Sequence, residues 1–156
     1  MPRNSGAFPD FELPDPEGAP QRLSSAWAGG PALVILGHRD CKTTRETLPL
    51  VDRIHARRGA TATVVALLQD DADTARKLRS DLHLGMPIRL EADPYPVAAA
   101  LDVTTVPTLF LVSAGGQIEA VSEALRRADL ERFATQLGVT GPLFTAEDKV
   151  PAQKPG

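Results

Sequence analysis

Ala32-Leu33-Val34-Ile35-Leu36-Gly37-His38-Arg39-Asp40-Cys41-Lys42-Thr43-Thr44 decides how this chain is read, because an unbroken apolar run gives way there to a polar turn and a helix start. Such a run is what a strand covered on both faces looks like. The only cysteine of the chain falls at the junction. The first turn of a helix offers N–H groups without intrahelical partners and the positive end of the dipole. A thiol placed there is favoured as thiolate, the form that attacks. Arg39, Lys42 and Arg45 add positive charge, while Asp40 opposes them. Three residues after Cys41 stands Thr44, whose hydroxyl can donate a hydrogen bond to a thiolate but cannot resolve a mixed disulfide. The chain has an attacking sulfur and no second one.

Working outward, residues 41–58 read as a helix with Leu48, Val51 and Ile54 at helical spacing, kinked at Pro49 and ended by Gly59. Thr63 to Leu68 is a second buried strand, and Asp70 or Asp71 caps a helix reaching Leu82. Ile88 to Leu90 reads as a short strand and Pro96 to Leu101 as a short helix. Thr108 to Val112, Ala114-Gly115-Gly116 and Gln117 to Val121 form a hairpin, and a last amphipathic helix spans about Arg127 to Leu137. Before the quoted stretch, Phe11 to Leu13 and Gln21 to Leu23 suit an irregular hairpin about Pro16-Glu17-Gly18. The order specifies an α/β fold, a central mixed sheet flanked by helices, with an N-terminal β-hairpin extension. Residues 1–7 read as a loose N-terminus and 8–137 as one domain. Residues 138–156, with Pro142, Pro151 and Pro155, read as a polar tail ordered only near Leu143 and Phe144.

The composition narrows the function. With 156 residues and a net charge of −3, the chain suits one domain and lacks the basic excess that nucleic-acid binding requires. No apolar run is long enough to span a bilayer, and no signal-peptide layout opens the sequence, so a cytoplasmic location is expected. One cysteine excludes an internal disulfide and a four-cysteine zinc site. His38, three residues before Cys41, is a candidate proton handler. His55 and His83 fall on separate helices, so neither a metal nor a cofactor is expected. The row Arg53, His55, Arg57 and Arg58 reads as a solvated helix face.

Several of these segments resemble the thioredoxin superfamily, and within it the redoxin branch that holds TlpA-type thiol-disulfide oxidoreductases and the alkyl hydroperoxide reductase/thiol-specific antioxidant proteins. Val34 to Cys41 is similar to that family's strand leading to its first cysteine. Pro49 stands where the family kinks its active-site helix. Thr105-Val106-Pro107-Thr108, followed by Leu109 to Val112 and Gly115 to Ile118, is similar to its cis-proline loop and hairpin. Asp93 through Val103 fits the preceding segment, and Thr63 to Leu82 supplies the extra strand and helix of the redoxin branch. The resemblance covers about residues 8–137.

It implies a thioredoxin-like fold, a cis Pro107, and a substrate-binding loop of Thr105, Val106 and Pro107 facing Cys41. It also implies disulfide or peroxide substrates, on proteins or small molecules, and an external thiol reductant such as glutathione or thioredoxin. The site departs from the family in two respects. It is C-x-x-T, which excludes a dithiol cycle within one chain, and Val34 and His38 occupy the proline and threonine positions of the peroxiredoxin P-x-x-x-T-x-x-C pattern. The leading expectation is a monothiol oxidoreductase in which Cys41 attacks a disulfide or glutathionylated thiol, aided by Thr44. A one-cysteine peroxidase and a non-catalytic thioredoxin-fold binding module are the alternatives.

Overall fold

A computed structural model describes all residues from Met1 to Gly156. Strands β1 (Glu12–Pro14) and β2 (Pro20–Arg22) form the small antiparallel hairpin. Its turn is organised by Asp15, whose carboxylate accepts the N–H of Glu17 and of Ala19, each at 2.9 Å. A short 3-10 turn, Leu23–Trp27, leads to β3 (Ala32–Gly37), then α1 (Lys42–Arg57), β4 (Thr63–Leu68), α2 (Ala72–Leu82) and β5 (Ile88–Leu90). After these come α3 (Pro96–Ala100), β6 (Thr108–Val112), β7 (Ile118–Glu123), β8 (Leu125–Arg126), α4 (Arg127–Gln136) and β9 (Gln153–Lys154).

The main sheet runs β5-β4-β3-β6-β7. Strand β3 pairs parallel with β4 and antiparallel with β6, so the strand that leads to Cys41 lies in the middle of the sheet. Every residue of β3 is buried. Its side chains divide between two cores, as the alternation of a strand requires. Leu33 and Ile35 join Leu48, Val51 and Ile54 of α1, Ala75 and Leu78 of α2, and Leu130 and Phe133 of α4. Val34 and Leu36 join Phe8, Trp27, Val97, Leu101 and Phe110 on the opposite face. This is the thioredoxin-like fold. No helix is long and apolar enough to cross a membrane.

Both ends of the chain are more engaged than their composition suggests. Arg3 donates its N–H to the Leu101 carbonyl at 2.9 Å, and Ala7 bridges to Gln117, so the opening residues run along β7. After Gly138 the chain folds back over α1. Val139 and Leu143 are buried, and Arg53 stacks over the Phe144 ring at 5.5 Å while pairing with Asp148 at 3.0 Å. Arg57 donates to the Pro142 and Leu143 carbonyls at 3.5 Å. Arg53 of the basic row is therefore clamped to the returning chain, while Arg57 and Arg58 stay exposed as a solvated face would. The partners of Arg53 lie about ninety residues away, which helical spacing does not reveal.

Candidate active site

Cys41 is placed by the ends of two elements. Strand β3 finishes at Gly37, where any Cβ would run into the Thr44 side chain, so the chain passes from strand to helix at a separation only glycine permits. The connecting loop is pinned from outside. Asp70 accepts the Arg39 N–H through both carboxylate oxygens, at 3.0 and 3.2 Å, and the Arg45 guanidinium donates to the Arg39 carbonyl. Burial pushes the Asp70 carboxyl above its ordinary pKa, against the pull of that donated amide.

Cys41 is itself the N-cap of α1. Its Sγ accepts the Thr44 N–H at 3.4 Å, and its carbonyl accepts the first helical bond from Arg45. The half-buried thiol donates to the carbonyl oxygen of Val106 at 3.3 Å. The Val106–Pro107 peptide bond is cis. Thr105 closes the loop, its carbonyl taking the Thr108 hydroxyl at 2.5 Å. The sulfur thus has one amide donor, one carbonyl neighbour and an open side.

Thr44 acts differently from the sequence expectation. Its side chain is fully buried against Gly37, and its hydroxyl has no hydrogen-bond partner. The residue serves Cys41 through its backbone amide, because the helical turn aims that N–H at the cap while the side chain points back toward β3. The nearby cations are also engaged elsewhere. Arg39 pairs with Asp40 at 3.5 Å, Lys42 reaches Glu46 at 3.9 Å, and Arg45 is spent on the Arg39 carbonyl. Asp40 is exposed and plays no part in capping.

His38 is half-buried and faces a cleft of about 350 Å³ shared with Gln69, Tyr95, Ala98, Val103 and Val106. One wall is α3, seated on Glu91, whose buried carboxylate accepts the N–H groups of Val97 at 2.5 Å and Ala98 at 3.2 Å. Burial raises the pKa of Glu91 despite those bonds. Sequence reasoning missed Glu91 and Tyr95 and offered Asp70 only as an alternative cap; Asp71 caps α2, accepting the Thr74 N–H, and Asp70 holds Arg39 instead. Glu91 is separated from α3 by a turn that also holds Asp93, and Tyr95 stands in the same short connection, so neither has a local signal in the sequence. No group of three or more His, Cys, Asp or Glu side chains is arranged to hold a metal ion.

The sequence pattern of the AhpC/TSA family matches residues 5–121. No curated protein matches the chain. Among solved structures, one from Chlorobium tepidum bearing the name thiol:disulfide interchange protein DsbE superposes with a TM-score of 0.76 at 22% identity, over 87% of this chain and 96% of that one. Peroxidoxin BcpB from Mycobacterium tuberculosis gives 0.68 at 20% identity, over 88% and 97%. StoA from Bacillus subtilis gives 0.67 at 17% identity, over 82% and 97%. At such identities the likeness establishes the fold.

Proposed function

The chain belongs to the AhpC/TSA family of thioredoxin-fold proteins, and from that premise we propose that it is a monothiol oxidoreductase acting through Cys41 on disulfides or glutathionylated thiols. The observation that carries this reading is the seat of the sulfur, at the cap of α1 and 3.3 Å from the Val106 carbonyl beside the cis Pro107 bond. In the first step the Cys41 thiolate bonds to one sulfur of the substrate disulfide, and the other sulfur leaves as thiolate. The Thr44 N–H stabilises negative charge on Cys41. With Thr44 in place of a second cysteine, the adduct waits for an external thiolate such as glutathione. That thiolate takes the substrate sulfur and returns Cys41 to its reduced form. The exchange conserves electrons at each step, and neither metal nor cofactor enters it.

Intact-mass spectrometry after exposure to glutathione disulfide or to hydrogen peroxide tests the assignment. The expected result is one glutathione adduct, absent from Cys41→Ser and removed by added glutathione. A sulfenic acid formed by peroxide without any glutathione adduct would replace this reading with the peroxidase. No product from either reagent would leave a binding module.

A further inference from the structure

The segment after Lys149 pairs with β8 and continues to the start of α1 and the Val106–Pro107 loop, which lie on either side of Cys41. Strand β9 pairs antiparallel with β8, Leu125 opposite Lys154 and Arg126 opposite Gln153. The Arg127 N–H donates to the Ala152 carbonyl at 3.0 Å, and the Arg127 guanidinium to the Val150 carbonyl at 3.0 Å. The Lys154 ammonium pairs with Glu46 of α1, and its hydrogen bond is the first reason the Glu46 carboxyl is held below its ordinary pKa. The Thr43 hydroxyl donates to the Pro155 carbonyl. Gly156 lies so close to the Val106 carbonyl and the Thr105 methyl that a Cβ on it would collide with both. Thr43 follows Cys41 by two residues, and Val106 is the residue whose carbonyl meets the thiol.

We propose that β8, the start of α1 and the Val106–Pro107 loop together form a docking groove for extended polypeptide. Segment Gln153–Gly156 is its resident occupant, and the disulfides that Cys41 attacks belong to polypeptides that displace it. This deepens the oxidoreductase reading and rests on it. The occupant shows what the groove accepts: a strand added by main-chain hydrogen bonds, a cation toward Glu46, and small or proline residues at the cis-proline loop. The hold is weak enough to yield. Strand β9 has two residues, and the ion pair is about one-third exposed on each side. Segments held by so few contacts open at low cost.

Four full-length chains test the proposal: the parent, Glu46→Lys, Lys154→Glu, and the double exchange. Each is assayed for Cys41 alkylation by iodoacetamide, and for adduct formation with glutathione disulfide and with a glycine-rich heptapeptide carrying one glutathionylated cysteine. Both single variants release the segment and are expected to react with the heptapeptide about fivefold faster, the factor that a lost, partly exposed pair supports. The two changes have opposite electrostatic effects on a thiolate, so acceleration by both identifies release. The double exchange restores the pair and is expected to return the parent rate. Unchanged alkylation and unchanged peptide rates in all four chains overturn the docking proposal, whatever the glutathione results. Alkylation that quickens in both singles while no chain reacts with either disulfide overturns the oxidoreductase reading instead.

Discussion

Replacing Thr44 by valine should make the protein more stable and leave its thiol chemistry intact. Thr44 is fully buried and its hydroxyl is unpaired. An unsatisfied hydroxyl of this kind costs about 1–3 kcal/mol. Valine has nearly the same shape and the same β-branching, and its extra buried methyl contributes roughly 0.8 kcal/mol. Against these gains stands crowding beside Gly37, where the side chain already fills the space; overpacking costs about 1 kcal/mol or more. The balance is a gain of about 1–2 kcal/mol, which for a chain of this length raises the unfolding midpoint by roughly 2–8 °C. Thermal unfolding followed by circular dichroism, with guanidinium titration to check that the m-value is unchanged, measures it. Thr44→Ser retains the hydroxyl and loses the packed methyl, so it should be less stable than the parent. The Cys41 alkylation rate should be the same in parent and valine variant, because Sγ takes the Thr44 amide. A lower midpoint for Thr44→Val, together with a tenfold slower alkylation, would refute the reasoning and return the hydroxyl to the sulfur.

Thr44→Cys should convert the half-cycle into a whole one. A disulfide between Cys41 and the thiol introduced three residues on closes a short loop worth about 2 kcal/mol of chain entropy, and the glutathione adduct should then resolve itself. An adduct that persists on mass spectrometry would count against this. Gly116 has φ +100°, and a Cβ there would lie 2.6 Å from Trp27 Nε1, so Gly116→Ala should cost about 2 kcal/mol through backbone strain and displacement of that ring. Guanidinium unfolding monitored by the fluorescence of Trp27 reads the loss, and an unchanged midpoint contradicts it. Burial first, and Arg58 second, hold His55 below its ordinary pKa of 6.5, and its Nδ1 has no partner. Below that pH the unfolded chain binds a proton the folded one resists, so stability contributed by neutral His55 falls as the pH drops from 6.5 toward the folded value. Denaturant midpoints at about pH 7.5 and about pH 5.5, above and below the ordinary histidine value, should therefore differ less for His55→Gln than for the parent, and an equal drop in both would disprove it.

Much of the fold was legible because each element is locally consistent. The apolar run of β3, the Leu48, Val51 and Ile54 spacing of α1, and the glycine-rich turn before β7 each report their own surroundings. Boundaries moved by a residue or two at β1 and β7, where pairing partners set the ends. The tail was illegible for the opposite reason. Strand β9 has two residues and no hydrophobic pattern, and it exists only because β8 offers an edge. The same holds for Arg53, whose periodicity marks an outer helix face and conceals the carbonyl and carboxylate that it binds.

At the site the division is sharper. The position of Cys41 at a strand-to-helix junction, the absence of a second sulfur, and the segment bearing Pro107 follow from the sequence, because they depend on residue identity and order along one chain. Which atoms meet the sulfur does not. That the Thr44 amide faces it while the hydroxyl stays unpaired, that the Val106 carbonyl lies 3.3 Å away, and that Gln153–Gly156 crosses the groove are products of folding. They depend on helix rotation, loop closure and contacts between residues far apart along the chain, for which local propensity carries no information.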